Sequence, residues 1–499
     1  MKSLEKEDNS YTHVLKYAGI FGGVQGLNLL IGVIRNKLVA ILLGPTGMGL
    51  NSLFITVQNF ISQATTFGIS FSAVKHISEL FDEGDEQKIS HFVRVIRSWT
   101  FLTALIGMFV CISIGPLLSD YTFTWGDHTL HFILLAPAVA MIAIMGGEMA
   151  ILKGLRQLKA LAVIQLFSVL ILFCISIPVF YFFGEAGIVP VIVISAFVGM
   201  MNCIYFTRKH FPFRWRGLFG CLGEGLTMVR LGVAYTMAGI LGSGAEMLVR
   251  SYLNIQGDLD TVGFYSSGYV LIVTYTSMVF SAMETDYFPR LSAVHHDIAA
   301  TNQIVNRQME VSILLISPIL TVFIIALPIL VPLLYTDSFM PVVSMAQLAT
   351  FAMYAKAISL PLGYVSLSKG DSRTYLLLES MYDVLLVVGI VVGYHFLNLT
   401  GTGLALAIIH AVELLVLVAY IHHRYHYSMS SSVVRYALIQ LPIGMLTLLV
   451  SYLCEGWTYW LLSLLCIAAS GTVSIYILHQ KTSLWLSLKE KIKSKFRKV

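Results

Sequence analysis

Apolar runs of helix-spanning length alternate with short polar connections from one end of the chain to the other. A helix needs about 20 mainly apolar residues to cross a bilayer. Fourteen runs reach that length: 14–43, 48–71, 92–117, 129–152, 160–182, 186–206, 225–253, 262–284, 307–334, 343–368, 374–397, 401–421, 433–453 and 457–479. The pattern predicts an all-α, polytopic membrane protein with about 14 transmembrane helices. The connections are too short to fold as a catalytic domain. Polar residues recur inside several runs at helical spacing. The first run carries Gly22, Gln25, Asn28, Gly32 and Arg35; the second carries Ser52, Thr56, Asn59 and Gln63; the seventh carries Gly239, Gly242, Glu246 and Arg250. Each set falls on one face of a helix. Lipid does not solvate such faces. They either pack helix on helix through small residues or line a water-filled cavity, and the stripes holding Asn59, Gln63, Arg35 and Arg250 favour the cavity.

Charge in the connections sets orientation, because Lys and Arg concentrate on the cytoplasmic side. One set of alternate connections holds Lys75, Lys88, Arg94, Arg97, Lys153, Arg156, Lys159, Arg208, Lys209, Arg214, Arg216, Arg290, Lys369, Arg373 and Arg424. The opposite set holds Asp120, Asp127, Glu185, Asp258, Asp260, Asp337 and Glu455. Both termini are therefore expected in the cytoplasm. The basic tail 481–499 fits a segment lying on anionic headgroups.

The chain also repeats. Arg35 and Arg250 are 215 positions apart, Gly49 and Gly263 are 214 apart, as are Ser78 and Ser292, and Lys153-Gly154 recurs as Lys369-Gly370 at an offset of 216. The repeat divides the chain into six-helix lobes over 1–215 and 216–430, two further helices over 431–480 and the tail 481–499. Six helices return the chain to the same side, so the repeats are parallel, a transporter architecture with the binding site between the halves.

Composition supports a membrane protein: 57% of the 499 residues are hydrophobic and 12% charged, against roughly 25% charged in globular domains. The six cysteines show no Cys-x-x-Cys spacing, so neither a disulfide framework nor a zinc site is expected. The polar start predicts no removable signal peptide. No phosphate-binding Gly-rich loop, nucleophile–base pair or metal-ligand cluster is present. An enzyme is not expected, nor a nucleic-acid partner or a cofactor.

Cations in a membrane segment are costly and mark sites for anions or buried pairs. Arg35 and its repeat partner Arg250 are the main candidates. Lys37 faces another side of its helix and can instead snorkel to the interface. Glu246, four residues before Arg250, stands in the favourable order for an intrahelical pair. Lys356 lies midway along the tenth run, with Glu379, Asp383 and Glu413 (beside His410) as candidate partners. Those groups can hold helices together or couple transport to H+ or Na+. Glu148 is a weaker candidate of the same kind.

At the end of the first run a basic residue is followed by Leu43-Gly44-Pro45-Thr46-Gly47-Met48-Gly49. Lys153-Gly154, Val262-Gly263-Phe264-Tyr265 and Phe288-Pro289-Arg290-Leu291-Ser292 follow in order. Together they resemble the Wzx-type polysaccharide flippases of the multidrug/oligosaccharidyl-lipid/polysaccharide exporter superfamily. The resemblance implies two lobes around a cationic cavity in the bacterial plasma (inner) membrane. The implied cargo is an undecaprenyl-diphosphate-linked oligosaccharide, such as an O-antigen unit, moved from the cytoplasmic to the outer leaflet by alternating access. It also implies membrane lipids, a polysaccharide polymerase and a chain-length regulator as partners. Arg35 matches the family's cavity arginine by its place before the glycine turn; Arg250, Lys37 and Lys356 carry over by location only. Two alternatives stay open. The extra pair of C-terminal helices resembles the lipid II flippases, although Leu50-Asn51-Ser52 departs from their usual continuation. A cation-coupled multidrug antiporter of the same superfamily would need a carboxylate-lined cavity.

Overall fold

The computed structural model describes residues 2–123, 127–212 and 218–481, with most side chains from residue 26 onward. Every regular element among them is helical. In chain order they are α1 (Lys2–Thr65), α2 (Ile69–Glu83), α3 (Glu86–Thr122), α4 (Thr129–Gly154), α5 (Leu158–Phe183), α6 (Ile188–Thr207), α7 (Leu226–Gln256), α8 (Leu259–Tyr269), α9 (Tyr275–Ala293), α10 (Ile298–Leu334), α11 (Val342–Ser368), α12 (Ser372–Tyr425), α13 (Ser431–Leu453) and α14 (Gly456–Lys481). Among the described residues, nine helical stretches are long and apolar enough to cross a membrane.

Those stretches merge neighbouring runs of the sequence, because the breaks between runs are sharper than loops. The first two runs form α1, interrupted only at Gly44 (φ 62°, ψ −170°). That conformation is closed to residues with a Cβ, and Pro45 then withholds a backbone donor. The eleventh and twelfth runs form α12, kinked at Leu397 and Asn398 (φ 49°). The second run ends earlier than its apolarity suggests. Phe67 (φ 50°) and Gly68 (φ 64°) turn the chain, and α2 begins as a separate helix. Its Ile69, Ala73 and Ile77 form a stripe packed on Val93 and Ile96 of α3 and Ile151 of α4. The eighth run is split by a π-helical turn at Val270–Thr274 between α8 and α9. Such turns widen a helix by one residue and often stand at functional sites.

The chain divides into two compact units: Met1–Gly263 with Leu333–Ser338, and Phe264–Pro332 with Phe339–Val499. In the first, α1 packs on α5 and on α7, and α4 packs on α3 and α6. Two repeat-related pairs meet inside it. A Cβ on Gly49 would collide with the Leu259 carbonyl and come within 3.0 Å of the Gly263 nitrogen; one on Gly263 would collide with the Pro45 carbonyl. Beside them Thr46 donates to Asp260 at 2.5 Å, again 214 positions on. Only glycine lets the two backbones approach so closely.

In the second unit, Met309 and Ile313 of α10, Leu362 of α11, Leu417 and Ile421 of α12 and Val433 of α13 share one core. Gln440 of α13 accepts from the Ser470 hydroxyl at 2.7 Å and donates to Ser474 at 2.9 Å, tying α13 to α14. Gln347 of α11 donates to Ser451 of α13 at 2.6 Å. Asp371 caps α12: its carboxylate accepts the Thr374 backbone N–H and the Tyr425 hydroxyl, which hold it below the usual carboxylate range.

Candidate functional site

The predicted cations of the first unit each meet a partner of their own, whereas four of the predicted residues in the second unit line one cavity. In the first unit Arg35 lies on α1 nine residues before the Gly44 break and faces α5, where its Nε donates to the Ser176 hydroxyl at 3.1 Å. Among the described residues no carboxylate pairs with it. Two turns earlier on α1, both amide atoms of Asn28 are enclosed with no hydrogen-bond partner among the described residues. A guanidinium met by one neutral hydroxyl, and two turns away an unpaired amide, leave hydrogen-bonding capacity unused where an unmade bond costs about 1–3 kcal/mol. The Gln25 side chain lies outside the described residues, as does the tail from 482 to 499.

Arg250 is buried and more fully engaged. Its Nε donates to Ser52 of α1 at 3.0 Å, and its Nη1 donates to the Glu246 carboxylate at 3.1 Å. The spacing of Glu246 and Arg250 puts them one turn apart, so the pair forms within α7. Lys37 donates to the backbone carbonyl of Tyr335, just beyond α10. Of the second stripe, Asn59 and Gln63 are exposed. Gln63 lies alongside Gly239 of α7, 3.6 Å from the position a Cβ would take.

In the second unit a cavity of about 290 Å³ is lined by Lys356 of α11 and by Glu379, Tyr382, His410 and Glu413 of α12. That volume has room for several waters. The two arms of α12 face each other because the chain reverses at Asn398, which brings Glu379 and Glu413 to one space although 34 positions separate them. His410 Nδ1 and Glu413 Oε2 are 2.7 Å apart, and the Tyr382 hydroxyl is 3.4 Å from His410 Nε2. Asp383 follows Tyr382 but is not among the residues that line this space.

Glu148 has a structural partner that the sequence reading missed. Arg97 meets it with two parallel bonds, Nε–Oε1 at 2.7 Å and Nη2–Oε2 at 3.1 Å, both side chains buried. Arg97 Nη1 also donates to the Phe211 carbonyl at 3.2 Å. Arg97 lies within the third apolar run, five residues past its start, and its place among the basic residues of the connections hides that it is buried against Glu148. Ser176 was also missed; a hydroxyl in the apolar C-terminal half of α5 was its only signal.

Among solved structures, one described as lipid II flippase MurJ in an inward closed conformation matches with a TM-score of 0.66 at 14% identity, covering 92% of this chain and 99% of that one. An inward-facing multidrug resistance MATE family transporter of the MOP superfamily matches with a TM-score of 0.61 at 15% identity, covering 80% and 94%. A MOP superfamily transporter from Pyrococcus furiosus, whose description reports a binding pocket of reverse polarity, matches with a TM-score of 0.55 at 15% identity, covering 82% and 93%. The fold is therefore that of MurJ and MATE transporters. No curated protein matches by sequence. The family model described as polysaccharide biosynthesis protein matches residues 14–295. Spanning more than half of the chain, that match, together with the transporter fold, means that this protein belongs to the polysaccharide biosynthesis protein family.

Proposed function

We propose that the protein is a flippase that carries an undecaprenyl-diphosphate-linked oligosaccharide from the cytoplasmic to the outer leaflet of a bacterial plasma membrane by alternating access. The observation that carries this reading is Arg35, a membrane-helix guanidinium hydrogen-bonded to Ser176 with no carboxylate partner among the described residues. A diphosphate offers the paired oxygens that guanidinium meets in a bidentate way. Arg250 is the second anchor: an arriving anion displaces Glu246, whose side chain is 40% exposed. Asn28, Asn59 and Gln63 supply amides for sugar hydroxyls, and Lys37 stands near Arg35 on α1. Both termini lie in the cytoplasm in this account, and a polymerase and chain-length regulator receive the flipped unit.

The Lys356–Glu379–His410–Glu413 cavity serves as the coupling site in this reading, taking up H+ or Na+ as the protein cycles. A lipid II flippase would share the diphosphate chemistry, but the family match favours a polysaccharide precursor. A drug-cation antiporter would place a carboxylate where Arg35 stands. The test is binding to purified protein in nanodiscs. An undecaprenyl-diphosphate oligosaccharide should bind wild type and lose at least tenfold in affinity with Arg35→Ala. Equal binding by the variant, or tighter binding of a lipophilic drug cation than of the lipid-linked glycan, contradicts the reading.

A further inference from the structure

We propose that the cleft between the N-terminal part of α10 and the C-terminal end of α14 holds the headgroup of an anionic membrane phospholipid, separate from the transported cargo. The cleft has a volume of about 410 Å³. Its wall is polar at one end and apolar at the other. Gln303, Arg307 and Lys481 stand at the polar end, and Leu314 and Leu478 at the apolar end. On α10 the step from Gln303 to Leu314 is about 16 Å at 1.5 Å per residue, which matches a headgroup continuing into the first part of its acyl chains.

The electrostatics are asymmetric within the cleft. Arg307 is exposed and has no ion-pair partner among the described residues. Lys481 is held by Glu310 at 2.6 Å and stands 5.2 Å from the Tyr436 ring. A phosphodiester seated between Arg307 and Lys481 takes two charge-assisted contacts while its chains follow Leu314 and Leu478. The floor is pre-organised by Asn306, which accepts the Tyr427 hydroxyl and the Ser430 N–H, each at 2.8 Å, and donates to the Ser428 carbonyl at 2.8 Å. The basic connections put this end of α10 on the cytoplasmic side, where anionic lipids act on Lys and Arg at the surface. A free phosphate would satisfy the cations but would leave the apolar end unused.

Native mass spectrometry of the full chain tests the assignment, with cardiolipin, phosphatidylglycerol and phosphatidylethanolamine as probes. Wild type should retain the two anionic lipids over phosphatidylethanolamine. Arg307→Gln and Lys481→Gln should each lower retention about fivefold. Glu310→Gln should raise it, because the carboxylate competes with the headgroup for Lys481, and a purely structural role for the ion pair would not produce that gain. Inorganic phosphate at millimolar concentration should leave retention unchanged. Equal retention of phosphatidylethanolamine, unchanged retention in Arg307→Gln with an unchanged melting curve, or displacement by inorganic phosphate would each overturn the proposal.

Discussion

Arg250 on α7 donates its Nε–H to the hydroxyl of Ser52 on α1 at 3.0 Å, across 198 positions of sequence. With Glu246 on its other side, the guanidinium bridges a hydroxyl on one helix and a carboxylate on its own. Lysine keeps the charge but cannot reach both partners with a rigid fork. Arg250→Lys should lower transport about tenfold, equivalent to about 1.4 kcal/mol, and Arg250→Ala should lower it further. Thermal unfolding should move little in either case, since a partly exposed pair contributes about 0–1 kcal/mol. A large fall in melting temperature with unchanged transport per folded molecule would assign Arg250 to packing alone.

Arg97 and Glu148 are a different kind of pair. Both are buried, and their two-bond geometry binds α3 to α4. Removing one partner strands a charge, at a cost of about 3–5 kcal/mol. Glu148→Ala should melt well below wild type, whereas the double change Arg97→Met with Glu148→Leu should recover most of the loss. Transport per folded molecule should stay near wild type in the double variant.

Gly49 tests the close approach of the repeat-related turns. A Cβ there meets the backbone of Leu259 and Gly263, which cannot rotate away as a side chain can. Gly49→Ala should destabilise by about 1–3 kcal/mol. Gly32→Ala, with nothing within 4 Å of its Cβ, should be neutral or stabilising by up to about 1 kcal/mol because the helix interior prefers alanine. Melting curves of the two variants in one detergent give the comparison.

Glu413 tests the coupling role proposed for the cavity between the arms of α12. Glu413→Gln keeps the shape and a hydrogen bond to His410 but removes the charge. It should abolish acceleration of transport by an imposed cation gradient and leave affinity for the lipid-linked glycan within about twofold. Running the assay with a pH gradient and, separately, a sodium gradient identifies the ion. Retention of gradient-driven acceleration in Glu413→Gln would remove the cavity from the coupling step.

The helical class, most helix positions and the breaks at Gly44 and near Asn398 were legible in the sequence, because lipid imposes length and apolarity on each run. Gly49 and Gly263 were legible as a repeat, and their contact gives the repeat a physical reason. The boundary at Thr65 was not legible: α2 is apolar on one face, and its Ile69 continues the preceding run. Lys356, Glu379, His410 and Glu413 stood out as charges in apolar runs, and the reversal of α12 explains why they share one space. Tyr382 did not stand out, since a tyrosine in an apolar helix is ordinary until its hydroxyl is seen beside His410. Arg97 was not legible as a buried partner because it sits near the start of its run beside Arg94, where a basic residue reads as part of the connection, and Glu148, its partner, is 51 positions away.

The central claim rests on Arg35 as the cation that receives a diphosphate. Proteoliposomes holding wild type or Arg35→Ala, loaded on one leaflet with a fluorescent undecaprenyl-diphosphate oligosaccharide, measure it most directly through the rate at which label reaches the other leaflet. The account predicts transfer by wild type and a loss of at least about a hundredfold in Arg35→Ala, equivalent to about 2.7 kcal/mol, with unchanged folding and insertion. Transfer by Arg35→Ala at the wild-type rate would contradict it.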